Sequence, residues 1–147
     1  VRDLLLPRAT VLTPNTPEAQ LLCGHSIETV DDMEPAAEAL LALGPKAVLL
    51  KGGHLDDPTS RDEVVDLLAT TSGMERLTSP RIDTTNTHGT GCTLASAIAC
   101  GIAQGMTLRD AVGRARKYVW EAICTAPRLG HGHGPLNHSH PCIGYND

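Results

Sequence analysis

Ala47-Val48-Leu49-Leu50-Lys51-Gly52-Gly53-His54 is the stretch on which the fold turns. Four apolar residues follow one another without alternation, then give way to a cation and two glycines. A strand with no polar face must be covered on both sides, as strands are in layered α/β proteins. The flanking segments fit that reading. Residues 9–13 are β-prone and stop at Pro14-Asn15. Thr16 can cap a helix with Pro17 at its first position and Gly24 past its end. A second helix is predicted from Asp31, where Glu34 completes a capping-box spacing. It carries Met33, Ala36, Ala37, Leu40 and Leu41 on one face and stops at Gly44-Pro45.

Downstream, residues 63–69 and 75–79 read as two strands around the turn Thr70-Thr71-Ser72-Gly73, an antiparallel hairpin. A helix is predicted from about Thr90 to Ala103. A last helix runs from Leu108 to about Thr125, with Thr107 and Asp110 as its capping box. Leu108, Ala111, Val112, Ala115, Val119, Ala122 and Ile123 form its apolar stripe. Strand, helix, helix, strand, hairpin and two helices predict an α/β sheet with helices on its faces. Ligands of such sheets gather at the carboxyl ends of strands. Asn15, Lys51 and the loop before Thr90 all fall at strand ends or a helix start.

That loop is Asp83-Thr84-Thr85-Asn86-Thr87-His88-Gly89-Thr90-Gly91-Cys92-Thr93. Glycines let backbone approach a ligand closely, and the N–H groups at a helix start attract an anion. Cys92 lies in the first turn, where the helix dipole favours a thiolate. The loop is not a Walker A motif, because GxxxxGK[ST] is absent. Lys51 places a cation before two glycines at a strand end. Asn15 and Glu18 read as ordinary turn and first-turn residues, or as an amide and carboxylate that hold Mg²⁺ and its waters.

Composition narrows the classes. Net charge is −5 and aromatic residues make up 2% of the chain, so a nucleic-acid surface with basic stripes and stacking platforms is not expected. Five cysteines, an odd number with no CxxC pair, argue against a disulfide scaffold or zinc ribbon. Reduced thiols and no visible signal peptide make a cytoplasmic protein the expectation. Residues 89–108 hold no charge, yet four Gly, three Thr, a Ser and a Gln make them too polar for a membrane span. A buried helix is expected instead. From Arg128 the tail is loop-like and carries His131, His133, His138 and His140. It reads as a loop closing over a ligand or as plain surface. Two other classes stay open: a cysteine hydrolase pairing Cys92 with His88, and a metal-binding module built on the tail.

Four strings together resemble the ribokinase superfamily, and within it the hydroxymethylpyrimidine/phosphomethylpyrimidine kinases of thiamin biosynthesis. They are Leu-Leu-Pro-Arg-Ala-Thr-Val-Leu-Thr-Pro-Asn-Thr-Pro-Glu-Ala (5–19), Val-Leu-Leu-Lys-Gly-Gly-His (48–54), Asn-Thr-His-Gly-Thr-Gly-Cys-Thr-Leu-Ala-Ser-Ala-Ile-Ala (86–99) and Gly-His-Gly-Pro-Leu-Asn-His (132–138). The resemblance implies a ribokinase-like three-layer αβα sandwich with a mostly parallel sheet and a β-hairpin. Residues 1–147 would be its nucleotide and anion-hole portion, the amino-terminal substrate side lying outside this sequence. Gly89, Thr90, Gly91 and Cys92 would form the anion hole, with Cys92 as catalytic base where most of the superfamily has Asp. Asn15 and Glu18 match an Asn-x-x-Glu motif that tunes Mg²⁺ and phosphate binding, largely through water. Lys51 matches a lysine that approaches the nucleotide phosphates, and His88 joins the nucleotide side. ATP and Mg²⁺ are the implied cofactors, a small pyrimidine the substrate and a homodimer the assembly. A pyridoxal kinase of the cysteine-containing subgroup is the alternative.

Overall fold

A buried four-residue strand organises the amino-terminal half. β1 (Ala47–Leu50) is buried at every position, as its unbroken apolar run requires. It pairs antiparallel with β2 (Glu63–Thr70), which turns into β3 (Gly73–Pro80), giving a sheet of order β1-β2-β3. The turn closes with Thr70 opposite Gly73, as the hairpin reading requires. α1 (Thr16–Cys23) and α2 (Met33–Leu41) precede the sheet. Met33, Ala36, Ala37 and Leu40 of α2 are fully buried in one cluster with Val48, Leu50, Leu67 and Ala69. The computed structural model describes residues 2–142, apart from 56, 59, 60, 128, 130 and 131.

The expected mostly parallel sheet is not seen among the described strands. The three named strands pair only antiparallel. Beside β1, residues 9–15 run parallel through the isolated bridges Leu12↔Val48 and Asn15↔Lys51. Leu12 N–H donates to the Ala47 carbonyl (2.9 Å), Leu49 N–H to Leu12 (2.7 Å) and Lys51 N–H to Pro14 (2.9 Å). Pro14 has no N–H to extend that ladder. An apolar run reports coverage on two faces, but not the direction of its neighbours.

The helix starts differ in detail from expectation. The N-cap of α1 is Asn15, not Thr16. α2 is preceded by Asp32, which makes no capping bond to the helix. Asp32 Oδ2 instead accepts from the N–H groups of Glu28 and Thr29 and from the Thr29 hydroxyl. Asp31 and Glu34, the expected capping pair, both meet the Arg76 guanidinium of β3 at 3.0 and 2.9 Å. The two carboxylates hold that guanidinium above its ordinary pKa.

The chain divides into two compact units, Val1–Arg81 and Ile82–Asp147. The second is a helix pair, α3 (Thr90–Ala103) and α4 (Leu108–Cys124). Leu94, Ile98 and Gly101 are the buried residues of α3; Ala111, Val112, Ala115, Val119 and Ala122 are those of α4. α3 is therefore buried along one stripe, with Ser96, Ala99 and Cys100 exposed, rather than buried all round. Thr107 caps α4 by accepting from Asp110 N–H. The Asp110 carboxylate accepts from the Thr107 hydroxyl at 2.7 Å instead of closing a full box. Among the described residues, no helix is long and apolar enough to cross a membrane.

Candidate active site

In the first unit the structure brings Asn15, Glu18 and Lys51 to one end of the sheet. Asn15 ends the segment beside β1 and is bridged to Lys51, the residue after β1. Asn15 Oδ1 accepts from Glu18 N–H at 2.8 Å, and Glu18 Oε2 accepts from Asn15 N–H at 2.8 Å. The pair is thus a complete capping box. Glu18 Oε1 lies outside the box, and Asn15 Oδ1 retains a second lone pair. A hydrated divalent cation, which takes few protein ligands, fits that remaining oxygen capacity. Lys51 is half-buried and has no ion-pair partner among the described residues. An open depression of about 350 Å³ beside Glu18 has mainly apolar walls, including Leu12, Pro14, Leu21 and Leu22.

The turn after Lys51 is tightly held. A Cβ on Gly52 would overlap the Val65 carbonyl oxygen. Gly52 N–H donates to the buried Asp66 carboxylate at 3.0 Å. Arg81 donates to the carbonyls of Gly53, Leu55 and Glu63 at 3.2–3.4 Å.

In the second unit the predicted anion loop sits at the start of α3, and His88, Gly89, Thr90, Gly91 and Cys92 come together there. Gly89 is the N-cap with φ +86°, a left-handed conformation that favours glycine. No side chain caps this end, so first-turn N–H groups are left for a ligand. Thr93 returns both its N–H (2.9 Å) and its hydroxyl (2.8 Å) to the Gly89 carbonyl, which locks the turn. Cys92 is a free, exposed thiol at the third helical position.

The loop leading into it is strapped by the tail. Asn86 is buried, and its N–H and Nδ2 both donate to Thr84 Oγ1. Gly134 packs on the Asn86 amide so closely that a Cβ would overlap Oδ1. His88 bridges to Pro135, and His133 Nδ1 lies 3.3 Å from the Thr85 carbonyl. Leu136 is buried and Asn137 N–H donates to the Ala122 carbonyl of α4 at 3.0 Å. Between 133 and 137 the tail packs inward through Gly134 and Leu136, with His133 and Pro135 exposed. His131 lies outside the described residues. Among those described, no cluster of three His, Cys, Asp or Glu is placed to hold a metal.

A family model, phosphomethylpyrimidine kinase, matches residues 1–137. The chain belongs to this family. It is 48% identical over 138 residues to the hydroxymethylpyrimidine/phosphomethylpyrimidine kinase of Streptomyces coelicolor, covering 94% of this chain and 49% of that protein. It is 49% identical over 138 residues to the thiamine biosynthesis bifunctional protein ThiED of Geobacter sulfurreducens, covering 94% of this chain and 27% of that protein. The chain thus spans half or less of the length of these relatives. Among solved structures it resembles an ADP complex of Bacillus subtilis pyridoxal kinase, with TM-score 0.88 and 38% identity over 97% of this chain and 54% of that one. It also resembles phosphomethylpyrimidine kinase from Clostridium difficile, with TM-score 0.68 and 40% identity over 82% of this chain and 46% of that one. These neighbours agree with an α/β fold.

Within this phosphomethylpyrimidine kinase family chain, sequence reasoning passed over three residues that hold the two loops: Asp66, Arg81 and Asn86. Asp66 leaves a visible trace, since a carboxylate interrupts Val64-Val65-Asp66-Leu67-Leu68 where only apolar residues suit a covered strand. Arg81 leaves none, because its partners are backbone carbonyls distant in sequence; Asn86 bonds locally to Thr84, but its packing against the distant Gly134 leaves no trace.

Proposed function

We propose that the chain is the nucleotide-side portion of a ribokinase-like kinase that phosphorylates hydroxymethylpyrimidine and its monophosphate, with ATP as donor and Mg²⁺ as metal. One observation carries the reading: α3 starts on Gly-Thr-Gly-Cys with no side-chain cap, so its first-turn N–H groups suit a transferred phosphoryl group. MgATP supplies that group and neutralises much of its charge. The first-turn N–H groups and the helix dipole meet the negative charge that remains. Cys92 is the base that takes the proton of the acceptor hydroxyl as that oxygen bonds the transferred phosphorus and ADP leaves. Lys51 faces the charge of the nucleotide phosphates. Glu18 would hold the metal through its waters, and Asn15 fixes Glu18 in place. Catalysis of this kind rests on positioning and charge stabilisation.

The test uses the complete protein with MgATP and hydroxymethylpyrimidine, with products followed by chromatography. The expected products are the monophosphate and then the diphosphate; no turnover with either acceptor ends the reading. General-base help is worth about 10²–10⁴ in rate, so Cys92→Ala should lower kcat by a factor in that range. An unchanged kcat would remove Cys92 from the base role. The likeness to Bacillus subtilis pyridoxal kinase supports a second reading, with pyridoxal as acceptor. The ratio of kcat/KM for the two acceptors decides between them.

A further inference from the structure

Beyond the residues expected in the site, the buried carboxylate of Asp66 has a position that its strand does not require. The β1–β2 ladder pairs Ala47 with Thr70 and continues in step to Leu50 opposite Leu67. Extended by one and two residues, the same register would set Lys51 opposite Asp66 and Gly52 opposite Val65. The ladder stops short of that. Lys51 N–H, like that of Leu49, donates to the segment on the other side, at the Pro14 carbonyl; Gly52 N–H, which the alternation aims at β2, is taken by Asp66 Oδ1 rather than by a backbone carbonyl. The chain then folds back, with Leu55 N–H donating to the Gly52 carbonyl at 2.9 Å.

Gly52 has no room to shift toward β2, because its Cα already lies against the Val65 carbonyl. Lys51 is thus gripped from three sides: by Pro14 through its own N–H, by Val65 against the next Cα, and by Asp66 through the next N–H. A buried carboxylate accepts such a bond more strongly than a neutral group does. Leaving Gly52 N–H buried without it carries the penalty of an unmade hydrogen bond.

We infer that Asp66 is a positioning residue for Lys51: by replacing the missing ladder partner of Gly52, it ends β1 and aims the lysine at the nucleotide phosphates. The inference rests on the kinase reading for the role of Lys51, but the Asp66–Gly52 contact can be tested without it.

The experiment compares Asp66→Ala and Asp66→Asn in the complete protein. Two readouts are taken: steady-state kinetics at varied MgATP, and the amide proton shift of Gly52 by NMR with no ligand present. Loss of a hydrogen bond to a charged acceptor predicts about a tenfold rise in KM for MgATP in Asp66→Ala. Asn keeps an acceptor oxygen in place, so Asp66→Asn should recover most of that loss while both variants leave KM for the pyrimidine unchanged. A structural role alone would move the melting temperature but not split the two KM values. The Gly52 amide proton should move upfield in Asp66→Ala and less so in Asp66→Asn. Unchanged KM for MgATP in a folded Asp66→Ala protein, or Asp66→Asn as impaired as Asp66→Ala, overturns the inference. If Asp66→Ala fails to fold, the Asp66→Asn kinetics and amide shift still decide it. A wild type with no kinase turnover sinks the kinase reading, and the Gly52 shift then still tests the contact.

Discussion

Gly101 of α3 and Gly113 of α4 are both interior helical glycines, but replacing each with alanine should have opposite effects. A Cβ built on Gly101 would lie 2.7 Å from Ala111 Cβ, 3.1 Å from Ala111 Cα and 3.3 Å from the Arg114 guanidinium. Carbon pairs rest at about 3.5–4.0 Å. The Ala111 atoms cannot rotate away, so α3 and α4 must part by about 1 Å at their closest point, against a well-packed interior. Overpacking of this kind costs about 1–3 kcal/mol. Alanine regains about 0.5–1 kcal/mol over glycine in a helix interior. Gly101→Ala should therefore lose about 1 kcal/mol net, within a span of about 0–2.5 kcal/mol. A Cβ on Gly113 meets nothing within 4 Å, so Gly113→Ala should gain the propensity term alone, about 0.5–1 kcal/mol. Because both variants make the same chemical change, their difference isolates the steric cost. At about 2–4 °C per kcal/mol for a chain of this size, the two should melt several degrees apart, on either side of wild type. Urea unfolding gives the free energies directly. A Gly101→Ala protein at least as stable as Gly113→Ala would refute the close α3–α4 contact.

Two further outcomes follow from the caps and the carboxylates. Asn15→Ala removes a helix cap and should cost about 1 kcal/mol in urea unfolding, with Asn15→Ser recovering most of it; equal losses in both variants would show that the cap is not the source. Thr29, through its hydroxyl and N–H, together with Glu28 N–H, holds the Asp32 carboxyl below its ordinary value of 3.8. A depressed folded pKa contributes stability above the unfolded value that is lost as pH falls through the folded one. Wild type should therefore melt above Asp32→Ala at neutral pH, and the margin should close as pH drops below 3.8; a margin that persists in strong acid would contradict the bonding.

The elements most legible in the sequence were those whose signals are local. Thr107 and Asp110 with the stripe from Ala111 to Ala122 marked α4, and Gly89-Thr90-Gly91 marked the start of α3, because caps and helical periodicity act within one or two turns. The hairpin was legible from Thr70-Thr71-Ser72-Gly73 for the same reason. Strand polarity was not, since the neighbours of β1 come from residues 9–15 and from β2, and an apolar run does not name its partners. Asp31 and Glu34 had the spacing of a capping box but found stronger company in Arg76, 45 and 42 residues away. Of the site, the Gly-Thr-Gly-Cys turn and the Asn15–Glu18 pair were readable as motifs. The groups that hold the Lys51 turn and the anion loop were not, because a buried amide against a distant glycine has no local pattern.

The contact between Gly134 and Asn86 joins parts of the chain that translation makes nearly fifty residues apart, as the neighbouring His133–Thr85 pair is 48. An anion loop transplanted from a relative would arrive without the strap that its own shape was matched to. Chimeras of these proteins should therefore exchange 82–138 as one cassette, and a library that randomises position 86 should let 134 vary with it.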